Sequence, residues 1–239
     1  MRNIALLVRR ELGAYLKSPM GYVIVAIVLF LQGLFFNTMV LGGTPKLSSE
    51  VLQQFFAFAV FFSAVAAIIL SMRLLAEEKQ LGTLTLLLTS PVKDYEIVLG
   101  KFISALIFFC GMTVLSVYMP ALIFVNGKVS IGHILGGYLG LILLGMSTLA
   151  IGLFASAVSP NQLVALVVGV AVTAGFWVLY WGTRVMDPPV KEVIGFLSPW
   201  KHLAWQNGIL HTRDIFYFLA VTYFFLLLTT QVLQARRWR

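Results

Sequence analysis

Six stretches of this chain, 21–41, 51–72, 102–125, 134–158, 163–182 and 215–233, contain no Asp, Glu, Lys, Arg or His. Each supplies the roughly 20 apolar residues that a helix needs to cross about 30 Å of hydrocarbon. Lipid offers no hydrogen bonds, so a spanning backbone must satisfy itself within a helix or a closed barrel, and continuous rather than alternating apolar runs point to helices. Composition agrees: 60% of residues are hydrophobic, 11% are charged, and the mean hydropathy is +0.95. Such a chain cannot cover itself with polar surface in water, which excludes a soluble domain. The sequence therefore predicts an all-α polytopic membrane protein with six transmembrane helices, forming one transmembrane domain over residues 1–239.

The net charge of +8 reflects orientation rather than nucleic-acid binding, because the basic residues are scattered between apolar runs instead of gathered on one face. With the N-terminus in the cytoplasm and six crossings, only Lys46, Lys128, Arg184, Lys191, Lys201 and Arg213 of the 17 Lys and Arg residues fall outside. Four of these six lie in the longest loop, where the positive-inside bias counts least. Both termini are thus expected in the cytoplasm. The uncharged spans argue against an ion-coupled carrier, since intramembrane charges mark ion and proton pathways. The chain also lacks the Gly-x-x-x-x-Gly-Lys-Ser/Thr phosphate loop. Cys110 is the single cysteine, which rules out an intrachain disulfide and reads as packing. No metal site is expected, because His202 and His211 lack further ligands at suitable spacing.

Residues 73–92, between the second and third apolar runs, carry the charged residues Arg73, Glu77, Glu78 and Lys79. Ala76 to Gln80 favour continuation of the preceding helix, and Gly82 permits a sharp turn. Thr83 can cap the short helix after that turn. Leu84, Leu87 and Leu88 share one face of this amphipathic helix, which ends at Ser90 and Pro91. Two readings remain open from spacing alone: a connector lying on lipid headgroups, or a docking surface for another protein.

The run Glu77-Glu78-Lys79-Gln80-Leu81-Gly82-Thr83-Leu84, with Leu86-Leu87-Leu88-Thr89-Ser90-Pro91-Val92, resembles the hallmark loop of ABC type-2 permeases, and more narrowly the gliding-motility-associated branch. Arg10-Glu11-Leu12, Ser18-Pro19-Met20-Gly21-Tyr22, Ser198-Pro199-Trp200 and Arg236-Arg237-Trp238 extend the resemblance along nearly the whole chain. Thr85 departs from it, standing where relatives often carry an acidic residue.

The resemblance implies that 73–92 is a cytoplasmic coupling helix inserted into a cleft of a separate ATP-binding subunit. Glu77, Glu78, Gly82, Thr83, Leu84, Leu87, Leu88 and Pro91 are the coupling residues it implies. It further implies two ATP-binding subunits carrying the ATP and magnesium, a second permease copy as a homodimer or related subunit, and a possible accessory subunit with a periplasmic part. This chain would hold no cofactor and would not be an enzyme. The function expected is that of an exporter permease in a bacterial inner membrane; the alternative is a scaffold that passes ATP-driven motion to an extracytoplasmic machine.

Residues 1–19 can form an amphipathic helix with a basic side, suited to the cytoplasmic membrane surface; the resemblance makes it an elbow helix. In 183–214, two apolar stretches broken by prolines suit short interfacial helices, which the resemblance renders as re-entrant outer helices. The glycines of the fourth span, Gly136, Gly137, Gly140, Gly145 and Gly152, allow close helix packing within the chain, or a dimer interface or gate. Phe55, Phe56, Phe58, Phe61 and Phe62 suit packing or lipid contact more than a cavity. One topological outcome is expected: single cysteines at Lys79 and Arg239 react only with reagent added from the cytoplasm, and those at Lys128 and Lys191 only from outside.

Overall fold

The computed structural model describes residues 2–41, 47–89, 92–123, 128 and 130–237. These residues form helices with no β-strand among them: α1 (Arg2–Lys17), α2 (Pro19–Phe35, continued by a π-helical turn Phe36–Leu41), α3 (Ser48–Gln80), α4 (Leu84–Thr89), α5 (Asp94–Leu115), α6 (Tyr118–Ile123), α7 (Ile131–Val158), α8 (Gln162–Gly182), α9 (Val190–Leu197) and α10 (Thr212–Arg237). Three short 3₁₀ turns flank α9. Six segments are long and apolar enough to cross a membrane: Pro19–Met39, Ser48–Gln80, Asp94–Ile123, Ile131–Val158, Gln162–Gly182 and Thr212–Arg236. They coincide with the six uncharged runs.

The boundaries follow from local chemistry. Ser18 adopts an extended backbone and Pro19 opens α2, so α1 and α2 are separate helices. Asn161 accepts a hydrogen bond from Val164 N at 2.9 Å and caps α8, which makes 159–161 the tight link expected between α7 and α8. The connector expected at Asn126-Gly127-Lys128 lies outside the described residues apart from Lys128. With 33 residues, α3 is about 50 Å long and exceeds what a bilayer requires. Its last turns and the first turns of α5 carry the charged residues that bracket the uncharged runs.

Contacts between helix ends define two sides. On the side of the two described chain ends, Glu11 of α1, Glu78 of α3 and Lys101 of α5 meet, and Lys79 and Arg236 reach the end of α7. On the far side, the 183–211 segment folds over the helix ends. Trp205 is fully buried there, against Gly140 and Phe56, and His133 shares a 2.8 Å hydrogen bond with the carbonyl of Gln206. His202 is also fully buried: its Nδ1 lies 2.8 Å from Asp214 Oδ1 and its Nε2 lies 2.9 Å from Phe196 O. These contacts commit both ring nitrogens, and the described residues hold no cluster of metal-ligating side chains.

The central element is α7, which packs against α3, α5, α8 and α10. Its glycines make this possible. A methyl group on Gly137 would come 2.1 Å from the Phe56 ring, one on Gly140 2.1 Å from Trp205, one on Gly145 2.1 Å from Phe109, and one on Gly152 1.8 Å from Ser71 Oγ. These four glycines are therefore notches for neighbours within the chain. Gly136 meets no such ring, and Gly175 of α8 has nothing within 4 Å. Phe55, Phe56 and Phe62 are buried in the core, while Phe61 is exposed.

Gly140→Ala is expected to destabilise the protein by about 1–3 kcal/mol through overpacking, outweighing the roughly 1 kcal/mol that alanine gains in helix propensity. Gly175→Ala enjoys the propensity gain without the clash and should melt at or above the parent temperature. Thermal unfolding of both variants in detergent measures the contrast.

Candidate coupling site

Where α3 ends, the chain reverses through a Schellman turn: Gly82 N donates to Lys79 O at 3.1 Å and Thr83 N to Glu78 O at 2.9 Å. Gly82 has φ +72°, the left-handed conformation that the turn requires and that glycine adopts without steric penalty. Thr83, the capping candidate, contributes to the end of α3. Its hydroxyl donates back to Glu78 O at 3.3 Å. The six-residue α4 begins directly after it, at Leu84.

The leucine face is divided between core and surface. Leu84 is buried in the protein's own core with Leu74, Leu75 and Ile97, so it is not available to a partner as expected from the sequence. Its burial anchors the start of α4 to α3 and α5. Leu81 and Leu86 are exposed, at 68% and 72%. The backbone of Leu87 and Leu88 continues α4, and Pro91 lies outside the described residues. Thr85 is exposed and hydrogen-bonds Gly82 O.

Glu77 and Glu78 do not project freely. Glu77 pairs with Arg73 one turn earlier, at 2.8 Å. Glu78 enters a cluster joining three helices: Lys101 Nζ lies 2.8 Å from Glu78 Oε1 and 3.2 Å from Glu11 Oε1, and Arg10 Nη2 lies 3.4 and 2.6 Å from the same two oxygens. Only 2% of the Lys101 side chain is exposed. Burial by itself would raise the pKa of Glu11, but the Lys101 ammonium and the Arg10 guanidinium outweigh it and hold the carboxyl below its ordinary value. Tyr15 closes the cluster from α1. Its buried hydroxyl donates to Leu70 O at 2.9 Å, and the Arg73 guanidinium lies 5.5 Å from its ring centre.

A second joint ties this arm to α7. Lys79 Nζ donates to the carbonyls of Ser156, Ala157 and Ser159, partners for the open C-terminal end of α7. Ser156 Oγ donates to Met72 O at 2.9 Å and accepts from Leu75 N at 3.0 Å and Ala76 N at 2.8 Å, so one hydroxyl engages the backbone of α3 at three points. Sequence reasoning missed both joints. Lys101 directly borders an uncharged run, and Arg10-Glu11 supplies opposite charge on the first helix, but nothing in their spacing brings them together.

Higher up the same helix, Phe61, Val65 and Ile68 of α3, Val170 and Trp177 of α8, and Trp200 line an apolar groove of about 450 Å³ on one flank.

Together these features define a bundle of membrane-length helices whose charged ends are tied to one another by ion pairs and hydrogen bonds. The sequence profile of the family described as ABC-2 family transporter protein matches residues 6–236, and the chain belongs to that family. It is therefore a transmembrane subunit of an ABC transporter, pairing with an ATP-binding subunit and not itself the ATPase. A search of curated proteins finds no match.

Lys101→Met leaves the two carboxylates facing each other without their buried cation and is expected to cost about 3 kcal/mol or more. The Glu11 carboxyl is held below its ordinary value near 4.5, so its contribution is present above that pH and is lost as pH falls through the lowered value. The deficit of Lys101→Met relative to the parent should therefore narrow on acidification below about pH 4.5, as read by denaturant unfolding across pH.

Proposed function

We propose that this chain is the permease of an exporter in a bacterial inner membrane, with both termini cytoplasmic, and that 73–92 receives the force of ATP hydrolysis from a partner. The supporting observation is the rigid arm beneath α4. Helix α3 runs continuously from the apolar core to Gln80, turns at Gly82, and is braced by Lys101 to α1 and α5 and by Lys79 to α7. A push on α4 would then move several spans together instead of bending a loose loop. A connector resting on headgroups would have no need of such bracing.

On this reading, the ATP-binding subunits, two per assembly, carry the ATP and magnesium. The apolar docking contact comes from Leu81 and Leu86, together with Leu87 and Leu88. Gly82 and Thr83 set the angle of α4, Leu84 anchors it, and Pro91 helps to end it. Glu77 and Glu78 serve as braces more than as contacts with the partner. Residues 1–239 act as one domain, with α1 as an elbow on the cytoplasmic surface and the 183–214 segment as re-entrant helices outside. A second permease copy closes the groove between α3 and α8, and the path runs between the two. A gliding-type scaffold with an accessory periplasmic subunit could be driven by the same arm.

Leu86→Asp places a carboxylate in the apolar docking contact, which costs several kcal/mol when left unpaired. Because Leu86 is exposed in the free chain, the variant should insert and fold as the parent does, yet lose its ATPase on co-purification. Retention of the ATPase with parental hydrolysis would remove the docking reading. Hydrolysis coupled to motion of the complex in liposomes, with no solute moved, would assign the scaffold role instead.

A further inference from the structure

A cavity of about 200 Å³ lies between α1 and the end of α3, bordered by Glu11, Tyr15, Arg73, Glu77, Glu78 and Lys101. The ion pairs around it account for most of its polar atoms but leave two buried atoms without a hydrogen-bond partner among the described residues: Arg73 Nη1, a donor, and Glu78 Oε2, an acceptor. An unmet buried donor and acceptor each carry a desolvation cost that a suitable ligand would relieve. The three carboxylates Glu11, Glu77 and Glu78 are balanced by Arg73, Lys101 and Arg10, so the cluster as a whole is neutral. A neutral cluster gives no net attraction to a simple anion or cation. It suits a ligand whose own opposite charges are separated, with a cation bearing N–H donors for Glu78 and an anion for Arg73.

We propose that this cavity binds a phosphoethanolamine headgroup, with its ammonium on Glu78 Oε2 and its phosphate on Arg73 Nη1. The lipid source rests on the membrane-surface position proposed for α1, which places the cavity at headgroup depth with Ala14, Leu74 and Leu81 as its apolar rim. The headgroup would join α1 to the coupling arm beside the Lys101 cluster. A choline headgroup fits less well, because its quaternary ammonium has no N–H to give Glu78. A glycerol phosphate headgroup offers no cation at all.

The test is lipid retention by the full-length permease, purified in detergent and stripped of lipid. It is then offered phosphatidylethanolamine, phosphatidylcholine and phosphatidylglycerol with identical acyl chains, and bound lipid is read by native mass spectrometry. Phosphatidylethanolamine is expected to be retained about tenfold or more over the other two, the scale of one charge-assisted hydrogen bond. Arg73→Gln and Glu78→Gln should each abolish the preference. Ala14→Leu should do the same by filling the cavity while leaving every charge in place. Equal retention of the three lipids, or a preference that survives all three variants, would overturn the proposal. Soluble phosphoethanolamine is added as a competitor: failure to displace the lipid at equal concentration identifies the membrane as the source, and displacement at parity supports the same headgroup chemistry drawn from solution. No ATPase subunit or transported solute enters the assay, so its failure is separable from failure of the exporter reading.

Discussion

The close approach of α3 to α7 is the contact on which the rest of the architecture depends. In lipid, apolar side chains gain nothing by leaving one hydrocarbon surface for another, so helices associate through van der Waals fit and polar contacts. Here the fit of α3 on α7 comes from the notches at Gly137 and Gly152, which receive Phe56 and Ser71, while Gly145 receives Phe109 of α5 and Gly140 receives Trp205 of the long loop. The polar contacts come at the end of the pair, where Ser156 engages the backbone of α3 and Lys79 engages the carbonyls of α7. Fit and polar contact together fix the angle at which α3 leaves the bundle.

That angle also sets where α4 sits, because α3 leads directly into the segment to which coupling is assigned by proposal. The Schellman turn at Gly82 reverses the chain within two residues, and buried Leu84 holds the start of α4 against the core. The Lys101 cluster fixes the same arm to α1 and α5. A buried charge is costly unless it is paired, so Lys101, Glu11 and Glu78 constrain one another's positions closely. Glu77 and Glu78 thereby make their ion pairs within the chain, to Arg73 and to Lys101 and Arg10.

At the far side, a buried polar centre of a different kind closes the bundle. His202 satisfies both ring nitrogens between Asp214 of α10 and the carbonyl of Phe196 in α9, and stacks on Tyr217 with ring centres 4.0 Å apart. Trp205 fills the notch at Gly140. The long loop is thus seated on the spans by its own side chains, and its tryptophans divide between roles: Trp205 is core, whereas Trp200 is exposed and borders the α3–α8 groove.

Sequence alone determined the helical class, the six spans, the turn at Gly82 and the link at Asn161, because each depends on local properties: uninterrupted apolar length, the steric freedom of glycine, and a capping side chain. Family membership was legible in contiguous runs such as 77–92, which carry the resemblance. Tertiary structure alone decided which charges pair and which leucines face outward. Lys101 meets Glu11 across 90 residues, and Ser156 meets Ala76 across 80. Leu84 is buried in the core with Leu74 and Leu75 of α3, while Leu86 two residues on is exposed. Such contacts depend on how helices far apart in sequence are rotated and set against one another, and periodicity within a single segment carries no record of that.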